Sequence, residues 1–211
     1  MIAPAKLNLS LLLGPTRPDG LHEICSLFIP LSLLLICPAL SMGLFAEERR
    51  SGTIEALLTA PASGAAVVHA KYAAALSTYL LLWLPTLLYV VIVRKVVEVD
   101  WPVVGASYLG LLLVGAAYLA IGLLMSALSK SQLVALMLTT LALFGLFILG
   151  IGERVFEPGL LHDICAHVSL VSQLEDFARG VIDLRRLVFD ASVACLCLFL
   201  TRRVVDSWRW G

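Results

Sequence analysis

The sequence predicts an all-α fold, a polytopic transmembrane helical bundle, and three observations carry that prediction. Hydrophobic residues make up 60% of the 211 and charged residues 14%, with a mean hydropathy of +0.97. A soluble domain averages ~45–50% apolar and ~25% charged, so this excess cannot be hidden in one compact core and a soluble enzyme is excluded. Four windows, residues 24–46, 72–93, 101–129 and 131–152, contain no charged residue, and each meets the ~20 residues needed to cross a hydrocarbon layer. Finally, fifteen basic residues balance fifteen acidic ones, which removes the basic surplus that nucleic-acid binding requires.

The first span, 24–46, contains Pro38, and the second, 72–93, contains Pro85; each proline removes a backbone donor and should kink its helix. The second span is bracketed by Lys71 and Arg94, which are expected to snorkel to the two interfaces. Trp101 opens the third span as an interfacial anchor. A fifth span, 187–205, is less uniform: it carries Asp190 near one end and Arg202 and Arg203 near the other, where interfaces would fall. The expected total is about five spans. Lys and Arg do not orient them, since the two sides hold seven and eight basic residues if the C-terminus is inside.

Five cysteines, Cys25, Cys37, Cys165, Cys195 and Cys197, are odd in number and read as small apolar residues rather than a disulfide framework. Only Cys165 falls in a polar stretch.

Two segments between spans carry organised charge. After the first span, Glu47-Glu48-Arg49-Arg50 is broken by Gly52; Thr53 then suits an N-cap for a short helix placing Ile54, Leu57 and Leu58 on one face, ended by Pro61. So short a helix is unstable alone, and its mixed charges suit a soluble partner above the headgroup layer; a charged turn without a partner is the other reading. Between spans four and five, Ser172 and Glu175 match a capping box. Leu174, Phe177, Ala178 and Val181 follow at helical spacing, Gly180 suits a C-cap, and Asp183 could cap the last span. This is an expected interfacial helix with Glu175, Asp176 and Arg179 outward.

With those residues in view, Phe45 to Glu55, then Leu57 to Pro61 and Lys71, resemble the signature of type-2 ABC transporter permeases, in the branch that includes gliding-motility and nitrous-oxide-reductase maturation permeases. Ser172 to Leu184 is similar to the segment before that branch's last helix. The resemblance implies a membrane subunit, paired as a homodimer or heterodimer, that binds a separate ABC ATP-binding subunit and has no catalytic residues or cofactor of its own. It implies that the stretch after the first span is a cytoplasmic coupling helix, with Glu47, Glu48, Arg49, Arg50, Gly52, Thr53 and Glu55 at the ATPase. Ser172, Glu175, Asp176, Phe177, Arg179 and Gly180 then belong to an external interfacial helix. The implied setting is the inner (plasma) membrane, crossed several times, and the implied activity is transport of an unidentified substrate, in the export direction.

The chain departs from the family pattern twice. Ala62 to Ala66 replace the acidic or bulky polar residues that usually follow the coupling segment, and the family's first of six spans is missing. In its place, residues 1–28 resemble the opening of the kinase that phosphorylates diphosphocytidyl-methylerythritol, with Lys6 and Asn8 near where that family binds substrate. No phosphate loop follows, so no kinase activity is expected. The expected division is an unrelated N-terminal segment, 1–23, poorly ordered or laid against the bundle, and a permease domain, 24–211. Residues 5–11 alternate as a strand does, but a lone strand has no sheet to join.

Other chemistries are less well supported. His162, Asp163, Cys165 and His167 include metal ligands, but His162 and His167 lie five apart, off a shared helical face, with no second cluster; no metal site is expected. Asp190 is the one acid inside a candidate span and has no evident partner, which weakens an intramembrane enzyme. A truncated, non-transporting membrane scaffold remains the principal alternative to a permease.

Overall fold

A computed structural model describes residues 11–16, 22–26, 28–55, 63–95, 101–157 and 159–208. Two strands, β1 (Leu11–Thr16) and β2 (His22–Ser26), pair antiparallel ahead of the helices. Their register puts Leu13 opposite Ile24 and Thr16 opposite His22. One extra residue on β1 at Gly14-Pro15 makes a bulge, a position that tolerates proline's missing donor.

The strand expected over residues 5–11 lies, except for Leu11, outside the described residues. The hairpin corrects one expectation: β2 takes Ile24, Cys25 and Ser26 out of the first predicted span. The helix there, α1, is Phe28–Ser41, 14 residues, or ~21 Å at 1.5 Å per residue, short of a ~30 Å hydrocarbon layer. After a turn the chain forms α2 (Ala46–Ser51). Then come α3 (Gly64–Val93), α4 (Trp101–Leu128), α5 (Gln132–Ile151) with a 3-10 turn at Gly152–Arg154, α6 (Leu160–Val168), α7 (Leu170–Ala178) and α8 (Leu184–Ser207).

Among the described residues, α3, α4 and α5 are long and apolar enough to span a membrane. The helix α8 is 24 residues long, but the charges at its two ends make it less apolar. The span predicted from residue 72 begins earlier, at Gly64. Ser63 caps it by accepting from the Ala66 amide at 3.2 Å, so Gly64 to Ala66 form the first turn of the helix. Pro85 lies inside α3, which continues to Val93.

The bundle is organised on α4. Its apolar window is 67% buried, against 12% for α3 and 22% for α5. Glycines give α4 a surface that neighbours enter: Tyr79 of α3 fills the space beside Gly115, and Phe177 of α7 the space beside Gly110. A side chain at either position would collide with those rings. The buried core joins Leu33 and Cys37 of α1, Tyr79 of α3, Leu143 of α5 and Cys197 of α8 to α4 residues Val114 to Leu124. The outward faces of α3 and α5, including Leu81, Leu84, Leu88, Leu133, Met137 and Leu141, are exposed and apolar, as lipid-facing helices require.

Candidate functional site

The charged segment after α1 lies where α1 ends, α3 begins and α4 and α8 end. Phe45 precedes α2 and offers no side-chain cap to it. The cap comes from α4: the Phe45 and Ala46 amides both donate to Ser126 Oγ, at 3.1 and 3.2 Å, and Ser126 donates to Met42 O at 3.0 Å. Arg49 returns the contact, donating from Nη1 to the Ala127 and Ser129 carbonyls at 2.9 and 3.2 Å. A guanidinium there meets the carbonyl end of the α4 dipole. Its carbon also lies 4.8 Å from the centroid of a Trp208 ring, which meets Phe45 edge-on. A second small core of Phe45, Val68, Leu123, Ala127 and Val205 lies beneath.

Lys71 differs from its expected role. Instead of snorkelling outward, its Nζ turns to Leu44 O at 2.5 Å and Glu48 Oε1 at 2.6 Å, with the side chain 19% exposed. The other oxygen of Glu48, Oε2, is buried without a hydrogen-bond partner among the described residues. Glu48 and Arg49 therefore face the bundle. Glu47 and Arg50 lie on the open side and form a two-bond pair at 2.9 and 3.1 Å; the Glu47 carboxylate raises the Arg50 pKa above the usual guanidinium value through that hydrogen bond and its charge. Ser51, Gly52, Thr53 and Glu55 are also exposed. Gly52 ends α2 at φ +76°, in the left-handed region, and Ser51 and Thr53 share a hydroxyl hydrogen bond of 2.9 Å. The helix predicted from Thr53 has Ile54 and Glu55 helical; its remainder lies outside the described residues.

At the opposite end, α7 is capped differently from expectation. Ser169, not Ser172, is the N-cap, accepting from the Ser172 amide at 3.4 Å. Ser172 instead donates to Glu153 after α5. Leu170, Gln173 and Phe177 form the buried face and Leu174 packs against the core, while Ala178 and Val181 are exposed; of the expected face Leu174 and Phe177 turn inward, and apolar periodicity does not reveal the buried polar member, Gln173. That amide donates to Asp190 of α8, giving the intramembrane acid a partner that sequence spacing did not show. Asp176, expected to point outward, pairs with Arg186 at 3.0 Å. Glu175 is half-buried and Arg179 exposed, and Gly180 turns the chain at φ +77°, as a C-cap glycine should. Asp183 caps α8, accepting from the Arg185 amide at 2.9 Å.

The helix α6 had no counterpart in the predicted elements. It carries His162, Asp163 and His167, with Cys165 buried against Gly152, and His167 Nδ1 lies 2.8 Å from Asp163 O. No group of three metal-ligating side chains occurs among the described residues. Ser126 is the main contributor to the site that the sequence reading missed, because a serine in an apolar helix carries no local sign of capping another helix.

The long apolar helices around α4 make this an integral membrane protein of helical type. The family model for the ABC-2 family transporter protein matches residues 3–164, from before the hairpin into α6, and the chain belongs to that family. No curated protein and no solved structure matches it.

Proposed function

We propose that this ABC transporter membrane subunit is driven by a separate ATP-binding subunit docking on the open side of α2 and the residues after it. The observation that carries the reading is the division of the Glu47 to Arg50 run: Glu48 and Arg49 bind the ends of α3 and α4, while Glu47, Arg50, Thr53 and Glu55 stay on the free side. A six-residue helix is unstable by itself; held on α3 and α4, it can transmit a push. Charged groups on its free side set docking geometry and partner choice more than raw affinity.

In this reading α2 lies on the cytoplasmic face of the inner membrane and α7 on the external face. Two membrane subunits pair, and an unidentified substrate is exported. The gliding-motility and nitrous-oxide-reductase branch supplies the nearest functional analogy, carried by the residues quoted above. The test is capture of an ABC ATPase encoded beside this gene, using the full chain in detergent or nanodiscs. The expected result is capture by the native chain, weakened at least ten-fold by Arg50→Glu, with thermal unfolding unchanged. Unchanged capture would overturn the docking role, and labelling of Thr53→Cys only from outside the cell would overturn the orientation.

A further inference from the structure

We propose that Ser126 and Arg49 lock α2 and α4 into one body, so that displacement of α2 reaches α7 at the far end of the bundle through α4. The proposal deepens the functional reading, resting on it only for the source of the displacement.

Two helix ends cap each other here. The first free amides of α2 are satisfied by the Ser126 hydroxyl from α4, and the last free carbonyls of α4 by the Arg49 guanidinium from α2. The α2 amides have no substitute: Phe45 has no capping side chain, and Ser126 is fully buried, so water does not replace it. Moving α2 away from α4 therefore exposes both sets of orphan groups at once, a penalty that favours joint movement.

Beyond the joint, α4 is suited to carry displacement. An internal proline kinks a helix, and the only proline in α4 is Pro102, in its first turn, whereas α1 and α3 contain Pro38 and Pro85 internally. Near the other end, Phe177 is 2% exposed and seated beside Gly110. Ser107 Oγ donates to Val103 O at 2.8 Å and lies 3.4 Å from the Phe177 carbonyl, so its one proton is shared at most in part with α7. From α7 the contact passes to α8 through Gln173–Asp190 and Asp176–Arg186. Ser126 and Arg49 are thus positioning residues, acting through α4.

Hydrogen exchange of the full chain in lipid nanodiscs tests this without any ATPase. Ser126→Ala and Arg49→Gln are compared with Thr78→Ala, which removes an exposed hydroxyl bonded only within α3. Loss of a helix cap should accelerate exchange in residues 45–51 by about five-fold or more. The proposal expects exchange in residues 170–178 to rise at least two-fold in the same variants, with residues 132–151 unchanged and Thr78→Ala silent. Acceleration confined to residues 45–51 overturns it. If Ser126→Ala does not accumulate, the half-exposed Arg49 variant decides alone. Failure to capture an ATPase would overturn the functional reading while leaving this exchange result intact.

Discussion

Replacing Lys71 with Met isolates the strongest electrostatic contact at the candidate site. Lys71 Nζ lies 2.6 Å from Glu48 Oε1, with side-chain exposures of 19% and 30%. Removing one partner from a fully buried pair costs about 3–5 kcal/mol, because the other charge is left uncompensated. Glu48 keeps some solvent contact, which screens it, so roughly 2 kcal/mol is expected here. Glu48→Gln leaves Lys71 its Leu44 carbonyl and should cost about 1 kcal/mol. The double variant Lys71→Met/Glu48→Gln leaves no orphan charge and should be more stable than Lys71→Met by about 1 kcal/mol. Denaturant titration of tryptophan fluorescence in micelles measures all four corners, with Trp208 and Trp83 as native probes. A Lys71→Met loss under about 0.5 kcal/mol, or a double variant no better than the sum of the two singles, would refute the claim that the pair holds α2 to α3.

Three further outcomes follow from packing, backbone geometry and surface charge. Phe177→Ala empties the space beside Gly110 and should cost about 3–5 kcal/mol, read from the same titration. Gly52→Ala places a side chain at φ +76° with open space around it, so the cost is backbone strain alone, about 1 kcal/mol; Gly52→Asn should cost less. Capture of the ATPase by the native chain should weaken as salt rises from 50 to 500 mM, more steeply than capture by Arg50→Ala, because the free-side charges are exposed and screened; equal slopes would remove Arg50 from the docking face.

The long elements were legible because lipid imposes a simple rule. Uncharged runs of more than twenty residues gave α3, α4 and α5 to within one residue at every end but the start of α3, which lies eight residues earlier. Residues without such a run were harder to place. The expected first span lost its start to β2, since the His22–Ser26 pairing depends on β1 and that partner cannot be inferred from residues 24–26 alone. Within α7, Gln173 faces inward because Asp190, seventeen residues on, needs a donor; periodicity sorts residues by apolarity and so assigned Val181 to the buried face instead. The Gly52, Gly180 and Asp183 signals did translate directly into two left-handed turns and a cap, being local chemistry that needs no distant partner.

The same distinction governs how the charge run at 47–50 should be interpreted. A helix advances about 100° per residue, so Glu47 and Arg50, three apart, share a face while Glu48 and Arg49 turn away from it. The family resemblance implies a place at the ATPase for all four, because adjacent charges beside a span look alike before the neighbouring helices are placed. In the structure Arg49 satisfies carbonyls left open at the end of α4, and Glu48 pairs with the Lys71 ammonium of α3. Loss of ATPase binding in an Arg49 variant would therefore not identify a docking residue, since α2 itself would have been loosened. Only variants of Glu47, Arg50, Thr53 and Glu55 alter the free surface while leaving the attachment of α2 intact.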